Sequence, residues 1–559
     1  MAKSKHTPEL HFLPLGGSGE IGMNLNLYAY GPLGDQDWLM VDCGISFADI
    51  YLPGIDLIMP DVSFIEKRRD RLLGLVITHA HEDHVGAVAY LWPQLQCPIY
   101  ATPFTARILQ GKLQELGLEK EAVVHEVPLG GRIELGPFSI EMVALTHSIL
   151  EPNALRIKTP LGSVFHTGDW KLDPDPLIGD PVDHKAMKRM GDEGVLALVC
   201  DSTNVFNTQP TGSEKAVRES LIRLLSDKKG KVFCTTFASN VVRVETLARV
   251  AEAGQRHLCL VGRSLKRYVA AAREVGYLKD FPPVIDEEEA GYLPDDKVLY
   301  ICTGCQGEAR AAMMRIAQDT NRHIALNAGD TVVFSSKIIP GNELVLGRLH
   351  NLLVEKGAEV ITEKDAFVHV SGHPGQQELT QMYRWIRPEI AVPVHGELRH
   401  LTRQAELARD LGVGQVVVPR NGALIRLAPG EAAIIDEVEH GRVALDGQFL
   451  ISDEDEAIVT RRRLMYNGGL VVSVVLDRNL ELACVPEITI LGLADEGDGG
   501  LERQIRRNVE DVLNRLPARA LKDDSFLKEE VRIAARRAAK TYTERETGPV
   551  TVVSLSRLK

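Results

Sequence analysis

The chain has 559 residues, 44% of them hydrophobic and 25% charged, which is the balance of a folded globular protein and excludes a disordered or fibrous one. That length exceeds what one hydrophobic core supports, so two or three domains are expected. The formal net charge of −13 excludes a basic coat that grips nucleic acid non-specifically, although a cleft holding metal ions can still be locally positive.

No apolar run is long enough to span a bilayer, so no membrane partner is expected. The basic start Met1–His6 lacks the apolar stretch of a secretory signal. Cys43, Cys200 and Cys234, among eight scattered cysteines, lie in or beside strand-like runs. Buried, reduced thiols and a cytoplasmic location follow as expectations. The pair Cys302 and Cys305 has no second CxxC beside it and reads as structural.

From Leu10 to about Val205, short apolar strands alternate with turns and helices: Leu25–Tyr30, Trp38–Val41, Leu75–Thr78, Pro98–Ala101, Ser139–Leu145, Ser163–His166 and Ala197–Cys200. After Pro210-Thr211-Gly212 the rhythm lengthens. Lys215–Ser226 and Val241–Ala253 read as helices, Lys231–Thr236 and His257–Val261 as strands, the pattern of a mostly parallel sheet covered by helices. The acidic stretch around Asp453–Glu456 reads as a surface linker. The tail offers strands at Leu470–Leu476 and Leu480–Pro486, helices at Leu501–Leu516 and Ser525–Tyr542, and a last strand at Val550–Leu555.

The most informative stretch is Thr78-His79-Ala80-His81-Glu82-Asp83-His84, which follows the buried-strand pattern Leu73–Ile77. Three imidazoles and a carboxylate on one loop suit divalent metal ions. Two ions need about seven protein donors, so others are sought at later strand ends. His147 follows Ile140–Leu145, Asp169 follows the strand ending at His166 and is placed to bridge, and His395 follows Ile390–Val394. His166 lies within its strand and reads as structural.

An HxHxDH motif, then a lone His, then an Asp after a strand, resembles the metallo-β-lactamase superfamily. Asp201 in Val199-Cys200-Asp201-Ser202-Thr203, His373 in His369-Val370-Ser371-Gly372-His373, and His395 resemble the three motifs of its nucleic-acid-processing β-CASP branch. Within that branch the chain is most similar to the bacterial ribonuclease J family, on Leu15–Gly22, Thr303–Glu308 and Ile339–Glu343.

The resemblance implies an α/β fold: a metallo-β-lactamase αβ/βα sandwich interrupted by a β-CASP domain, plus a small C-terminal α/β domain. The expected boundaries are 1–211 and 371–448 for the sandwich, 212–370 for the insertion, 449–463 for a linker and 464–559 for the C-terminal domain. It implies one ion on His79, His81 and His147, a second on Asp83, His84 and His395, and Asp169 between them. The ions would be zinc, with manganese the alternative. RNA is the implied substrate, and a homodimer or higher oligomer and the RNA-degradation machinery are implied partners.

Two such ions would activate water and offset the charge of a phosphodiester transition state, leaving 5′-phosphate and 3′-hydroxyl ends. His373 is the candidate acid for the leaving O3′, and Asp201 the carboxylate that orients it. The run His369, Val370, Ser371, Gly372, His373 is expected to grip phosphate, with Gly372 allowing close approach. Ala238, Ser239 and Asn240, ahead of a helix, form a second candidate contact. A preference for 5′-monophosphate ends follows from such a pocket. A small-molecule metallohydrolase, a DNA-directed nuclease of the same branch and a non-cleaving RNA-binding subunit are the alternatives; the first leaves His373 and the insertion without purpose.

Overall fold

The computed structural model describes residues 7–558 except 496 and 498; the basic segment Met1–His6 lies outside the described residues. The chain divides into two compact units. The larger runs to Ser46 and from Met59 to Gly441, and the smaller combines Phe47–Ile58 with the chain from Arg442 onward.

The larger unit is built on two facing sheets. One has eight strands, in the order Ala433–Glu437, Ala423–Ala428, Glu9–Gly16, Leu25–Gly31, Asp37–Val41, Leu72–Val76, Ile99–Ala101 and Val124–Glu126. The other has seven, in the order Arg132–Leu135, Phe138–Ala144, Asn153–Thr159, Gly162–His166, Ala197–Asp201, Ile390–Val394 and Gln415–Val416. Their inner faces share one core. Phe12, Tyr28, Leu39, Val41 and Val76 of the first sheet meet Phe138, Ile140, Leu155, Val164, Val199 and Val392 of the second. On the second sheet's outer face, Phe165, Leu198 and Ala391 pack against Met187, Met190, Leu379, Met382 and Ala408 of three helices. Two sheets between helical layers make the expected αβ/βα sandwich.

The insertion is a six-stranded parallel sheet in the order Val284–Ile285, His257–Val261, Val298–Cys302, Val232–Thr235, Thr331–Phe334 and Glu359–Ile361. Its central strands Val298–Cys302, Val232–Thr235 and Thr331–Phe334 are buried on both faces, which is why they read as continuous apolar runs. Helices Glu214–Leu225, Val241–Ala253 and Arg263–Glu274 supply residues to one apolar cluster, and Ala312–Ala317 and Glu343–Glu355 to another. Cys302 and Cys305 are buried free thiols in this domain.

In the smaller unit, Arg442–Asp446 and Phe449–Ser452 pair as antiparallel strands. The linker expected over 449–463 is not a linker: it holds that strand and the start of helix Glu456–Asn467, capped by the Asp455 carboxylate on the Ala457 N–H. Acidic residues here serve a helix N-terminus. A three-stranded sheet follows, Glu487–Leu491 beside Gly469–Leu476 beside Val550–Arg557. It packs Leu470, Val472 and Val474 on Leu501, Ile505, Val509, Leu527 and Val531 of helices Gly500–Arg515 and Asp524–Thr543. The strand expected at Leu480–Pro486 lies instead at Glu487–Leu491. Asp477 accepts the N–H groups of Asn479 and Glu481 and turns the chain there.

One buried ion pair fixes the insertion. The Arg243 guanidinium donates to both Glu214 oxygens (2.9 and 2.8 Å), to Ser335 Oγ (2.6 Å) and to the carbonyls of Ser335 and Val368 (both 3.0 Å). Glu214 opens the insertion's first helix and Val368 closes its last segment, so this side chain ties entry to exit. Arg243→Met would leave Glu214 buried without its counter-charge, at a cost of roughly 3–5 kcal/mol. Thermal unfolding should show a clearly lower transition than for the parent protein; an unchanged melt would refute the role.

Candidate metal centre

The HxHxDH motif leaves the buried strand Leu72–Val76 through a loop into the short helix Glu82–Val85. Asp42, just past the parallel neighbour Asp37–Val41, organises both ends of it. Its Oδ1 accepts the Thr78 N–H (2.8 Å), and its Oδ2 accepts the Thr78 hydroxyl (2.8 Å) and His84 Nδ1–H (2.7 Å). Gly44 lets the motif come this close, since a Cβ there would lie 1.7 Å from the Asp83 carbonyl oxygen.

Three groups of donor atoms share Asp169; the third joins it to Asp201, His373 and His395, and the first two hold the seven residues named from the sequence. In the first, His81 Nδ1 lies 3.1 Å from His79 Nε2 and 3.0 Å from His147 Nε2, and both Nε2 atoms lie 3.8 Å from Asp169 Oδ2. In the second, His84 Nε2 lies 3.2 Å from Asp169 Oδ1 and 3.7 Å from Asp83 Oδ2. His395 Nε2 lies 3.5 Å from Asp83 Oδ2 and 3.3 Å from Asp169 Oδ2. Ligands about 2.0–2.1 Å from a tetrahedral zinc ion stand about 3.3 Å apart, so both sets have the spacing of a coordination shell. All seven residues named from the sequence are therefore brought together, and the donor set fits two divalent ions.

The electrostatics agree. Burial first, and the neighbouring imidazoles with it, pushes His79 and His147 below the ordinary imidazole range and His81 down to about 3, so their lone pairs are free of protons. At His84 and His395 burial acts the same way but is outweighed by Asp169, which pulls both upward. Asp169 is itself held well below the usual carboxylate range, because His395, His84 and His373 outweigh its burial. The carboxylates at this end attract positive charge, which a divalent ion supplies.

Beside the two sets, His373 Nδ1–H donates to Asp201 Oδ2 at 2.8 Å and lies 3.8 Å from Asp169 Oδ2. Burial lowers its affinity for protons, yet Asp201 and Asp169 overcome this and raise it to about 9, so the imidazole is held protonated. Its backbone carbonyl accepts from Asn204 Nδ2 and Thr211 Oγ1, each at 3.2 Å. With Nδ1 engaged, the nitrogen offered to a substrate is Nε2.

The phosphate contacts come out differently. Gly372 approaches His147, not open space: its carbonyl accepts His147 Nδ1–H at 2.6 Å, and a Cβ would lie 2.7 Å from His147 Cε1 and 2.8 Å from Ser148 Oγ. Val370 is buried in the insertion core, and Asn240 Oδ1 is committed to capping its helix through the Arg243 N–H (2.9 Å). His166 is structural, its Nδ1 paired with the Tyr28 hydroxyl at 2.9 Å. Sequence reasoning passed over Asp42 and Arg243. The signal for Asp42 was an acid immediately after a buried strand and two residues before a glycine; Arg243, in an ordinary helical pattern, gave none.

A sandwich of this kind, with histidines and aspartates gathered at its strand ends and an α/β domain interposed, defines a metal-dependent hydrolase of the metallo-β-lactamase class. Family models match for the metallo-beta-lactamase superfamily over residues 25–236 and the ribonuclease J beta-CASP domain over 229–353. Others match for a Zn-dependent metallo-hydrolase RNA specificity domain over 357–419 and the ribonuclease J C-terminal domain over 456–557. The chain is 47% identical to ribonuclease J of Sinorhizobium meliloti, covering 98% of this chain and 97% of that one. It is 38% identical to ribonuclease J 1 of Streptococcus pyogenes over 88% of each chain. With ribonuclease J of Corynebacterium glutamicum the identity is 37%, over 94% of this chain and 73% of that one. The chain belongs to the ribonuclease J family and is a metal-dependent ribonuclease.

Removing a donor from either set should cost both bound metal and RNA cleavage. His81→Ala and Asp83→Ala are the direct cases, and Gly372→Ala is the indirect one, because its methyl group displaces the His147 ring. Metal content by mass spectrometry should fall in all three; full occupancy in His81→Ala and Asp83→Ala would refute the assignment.

Proposed function

We propose that the enzyme cuts RNA to leave 5′-phosphate and 3′-hydroxyl ends, working from the 5′ end as an exonuclease and within chains as an endonuclease, in rRNA processing and mRNA decay. Two ions per subunit, zinc with manganese as the alternative, would be held by His79, His81 and His147, by Asp83, His84 and His395, and by Asp169. When bound, they supply Lewis acidity for water activation and for the charge that builds on the scissile phosphate. The observation that carries the reading is the Asp201–His373 pair, an imidazole held by one carboxylate at 2.8 Å and 3.8 Å from the carboxylate common to both sets.

In this reading Asp201 accepts Nδ1–H, keeps the ring oriented and sustains its charge, while His373 Nε2–H gives its proton to the departing O3′. The shell of buried strand ends around the ligands limits bulk water and strengthens these interactions. A cytoplasmic site of action suits an RNA substrate and eight free cysteines. Homodimers, and association with RNA-degradation machinery, belong to the same reading through family resemblance.

His373→Ala should keep both metals and lose RNA turnover by about 10²-fold or more. An unchanged kcat in a metal-replete variant would remove His373 from the chemistry.

A preference for one 5′-phosphate is supported by the surroundings of His369. No protein group among the described residues hydrogen-bonds its buried Nδ1. Burial first, then Arg243, Lys171 and Lys337, holds the imidazole well below its ordinary range. An unengaged polar atom here could meet one phosphate, whereas a triphosphate brings more bulk and charge towards the carboxylates of the metal centre. One RNA prepared with each 5′ end should be degraded faster as the monophosphate; equal rates would refute end recognition.

A further inference from the structure

We infer that His395 is aimed by its backbone rather than by its ring. A latch formed by Gly17, Ser18, Glu20 and Asn421 on one side and Thr203 on the other would then set the affinity of the ion site that His395 serves. The inference rests on the ligand set proposed above. Three other ligand imidazoles are steered by a hydrogen bond at Nδ1: His79 by Thr78 Oγ1 (3.0 Å), His84 by Asp42 (2.7 Å) and His147 by the Gly372 carbonyl (2.6 Å). His81 presents Nδ1 to the cluster itself. His395 has neither arrangement: its Nε2 faces Asp83 and Asp169, and its buried Nδ1 meets no protein hydrogen-bond partner among the described residues.

What fixes the ring is the main chain. His395 has φ +52°, in the left-handed region that a residue with a Cβ disfavours, at the end of strand Ile390–Val394. A strained conformation persists only where its surroundings hold it, and here both flanking peptide groups are held. The His395 N–H donates to the Gly17 carbonyl at 2.7 Å, and the Thr203 hydroxyl donates to the His395 carbonyl at 2.9 Å. Ser18 and Gly19 pair as a short parallel ladder with Gly396 and Glu397.

The Gly17 loop is braced in turn. Asn421 Oδ1 accepts the Ser18 N–H at 2.9 Å, its Nδ2 donates to Glu20 Oε1 at 2.6 Å, and the same oxygen accepts the Gly17 N–H at 3.4 Å. On the other side, the Thr203 N–H donates to Asp201 Oδ1 at 2.8 Å, so Thr203 joins the His395 backbone to the carboxylate that orients His373. Asn421 and Thr203 present no donor atom to either ion set. They are positioning residues, and loosening them should weaken the site of Asp83, His84 and His395 while sparing that of His79, His81 and His147.

The test is titration of metal-free full-length protein with Zn2+ against a chromophoric chelator, repeated with Co2+ and read by its visible absorption. Thermal melts would accompany each variant. His395→Ala identifies which of the two affinities belongs to its site. Thr203→Val, which keeps shape and loses the hydroxyl, and Asn421→Ala should weaken that same site about 10–100-fold and leave the other in place, as loss of an outer positioning partner does. Thr203→Ser, which restores the donor, should return the parent affinity. Parent-like titrations in both Thr203→Val and Asn421→Ala would overturn the latch, as would equal weakening of both sites with no rescue by Thr203→Ser. If His395→Ala itself titrates like the parent, the ligand assignment fails rather than the latch.

Discussion

The Asp169 carboxylate is the constraint around which the larger unit is organised. One buried anion stands within 3.2–3.8 Å of His79, His84, His147, His373 and His395, side chains contributed by four separate stretches of chain. Such a group is tolerated inside a protein only when positive charge surrounds it. His84, His373 and His395 supply it, and each must be delivered by a rigid support. Strand ends of two facing sheets provide that support, and the shared apolar core between the sheets holds the supports in register. A slip of one residue in Ile390–Val394 or Leu72–Val76 would turn a ligand away from the centre.

Support alone does not orient an imidazole, and the site uses three different devices to do so. Asp42 works through a side chain, gripping Thr78 and His84 at once. Gly372 works through a carbonyl and the absence of a Cβ, which brings the chain returning from the insertion against His147. His395 depends on a backbone conformation. The three act on different donors, and this explains why the conspicuous motif at 78–84 is only half of the centre. The rest comes from His147 and Asp169, at the ends of later strands of the sandwich, and from His395, which follows the insertion.

How much of this could be read beforehand follows from where the information lies. The sandwich strands and the insertion's alternation were legible because burial imposes its period locally; Val241–Ala253 and His257–Val261 fall at the boundaries read from the sequence. The clustering of the candidate ligands was legible because metal chemistry restricts residue type and because they follow apolar runs. The purpose of Gly372 was not. A glycine signals close approach without naming what approaches, and the protein neighbour is His147, 225 positions away. The stretch 449–463 misled for a related reason. Acidic residues that cap a helix look like those of a solvated linker until the helix behind them is seen. Arg243 was silent because a cation at one position of an amphipathic helix is ordinary until its burial is known.

That silent residue decides whether the centre can be completed at all. The insertion leaves the sandwich just before Glu214 and returns after Val368, and Arg243 binds both, with Ser335 between them. The entry and exit of a long insertion are thus closed into a short, polar and fully buried knot. From that knot only four residues separate Val368 from His373, too few for the returning chain to wander before it must place Gly372 on His147 and His373 on Asp201. The ion pair is an expensive way to fill a core, and apolar residues of equal volume would hold the helices as well. What they would not do is fix the direction in which the chain comes back, because dispersion contacts are non-directional whereas guanidinium hydrogen bonds are not. The polarity buried far from the metals therefore serves the geometry at the metals.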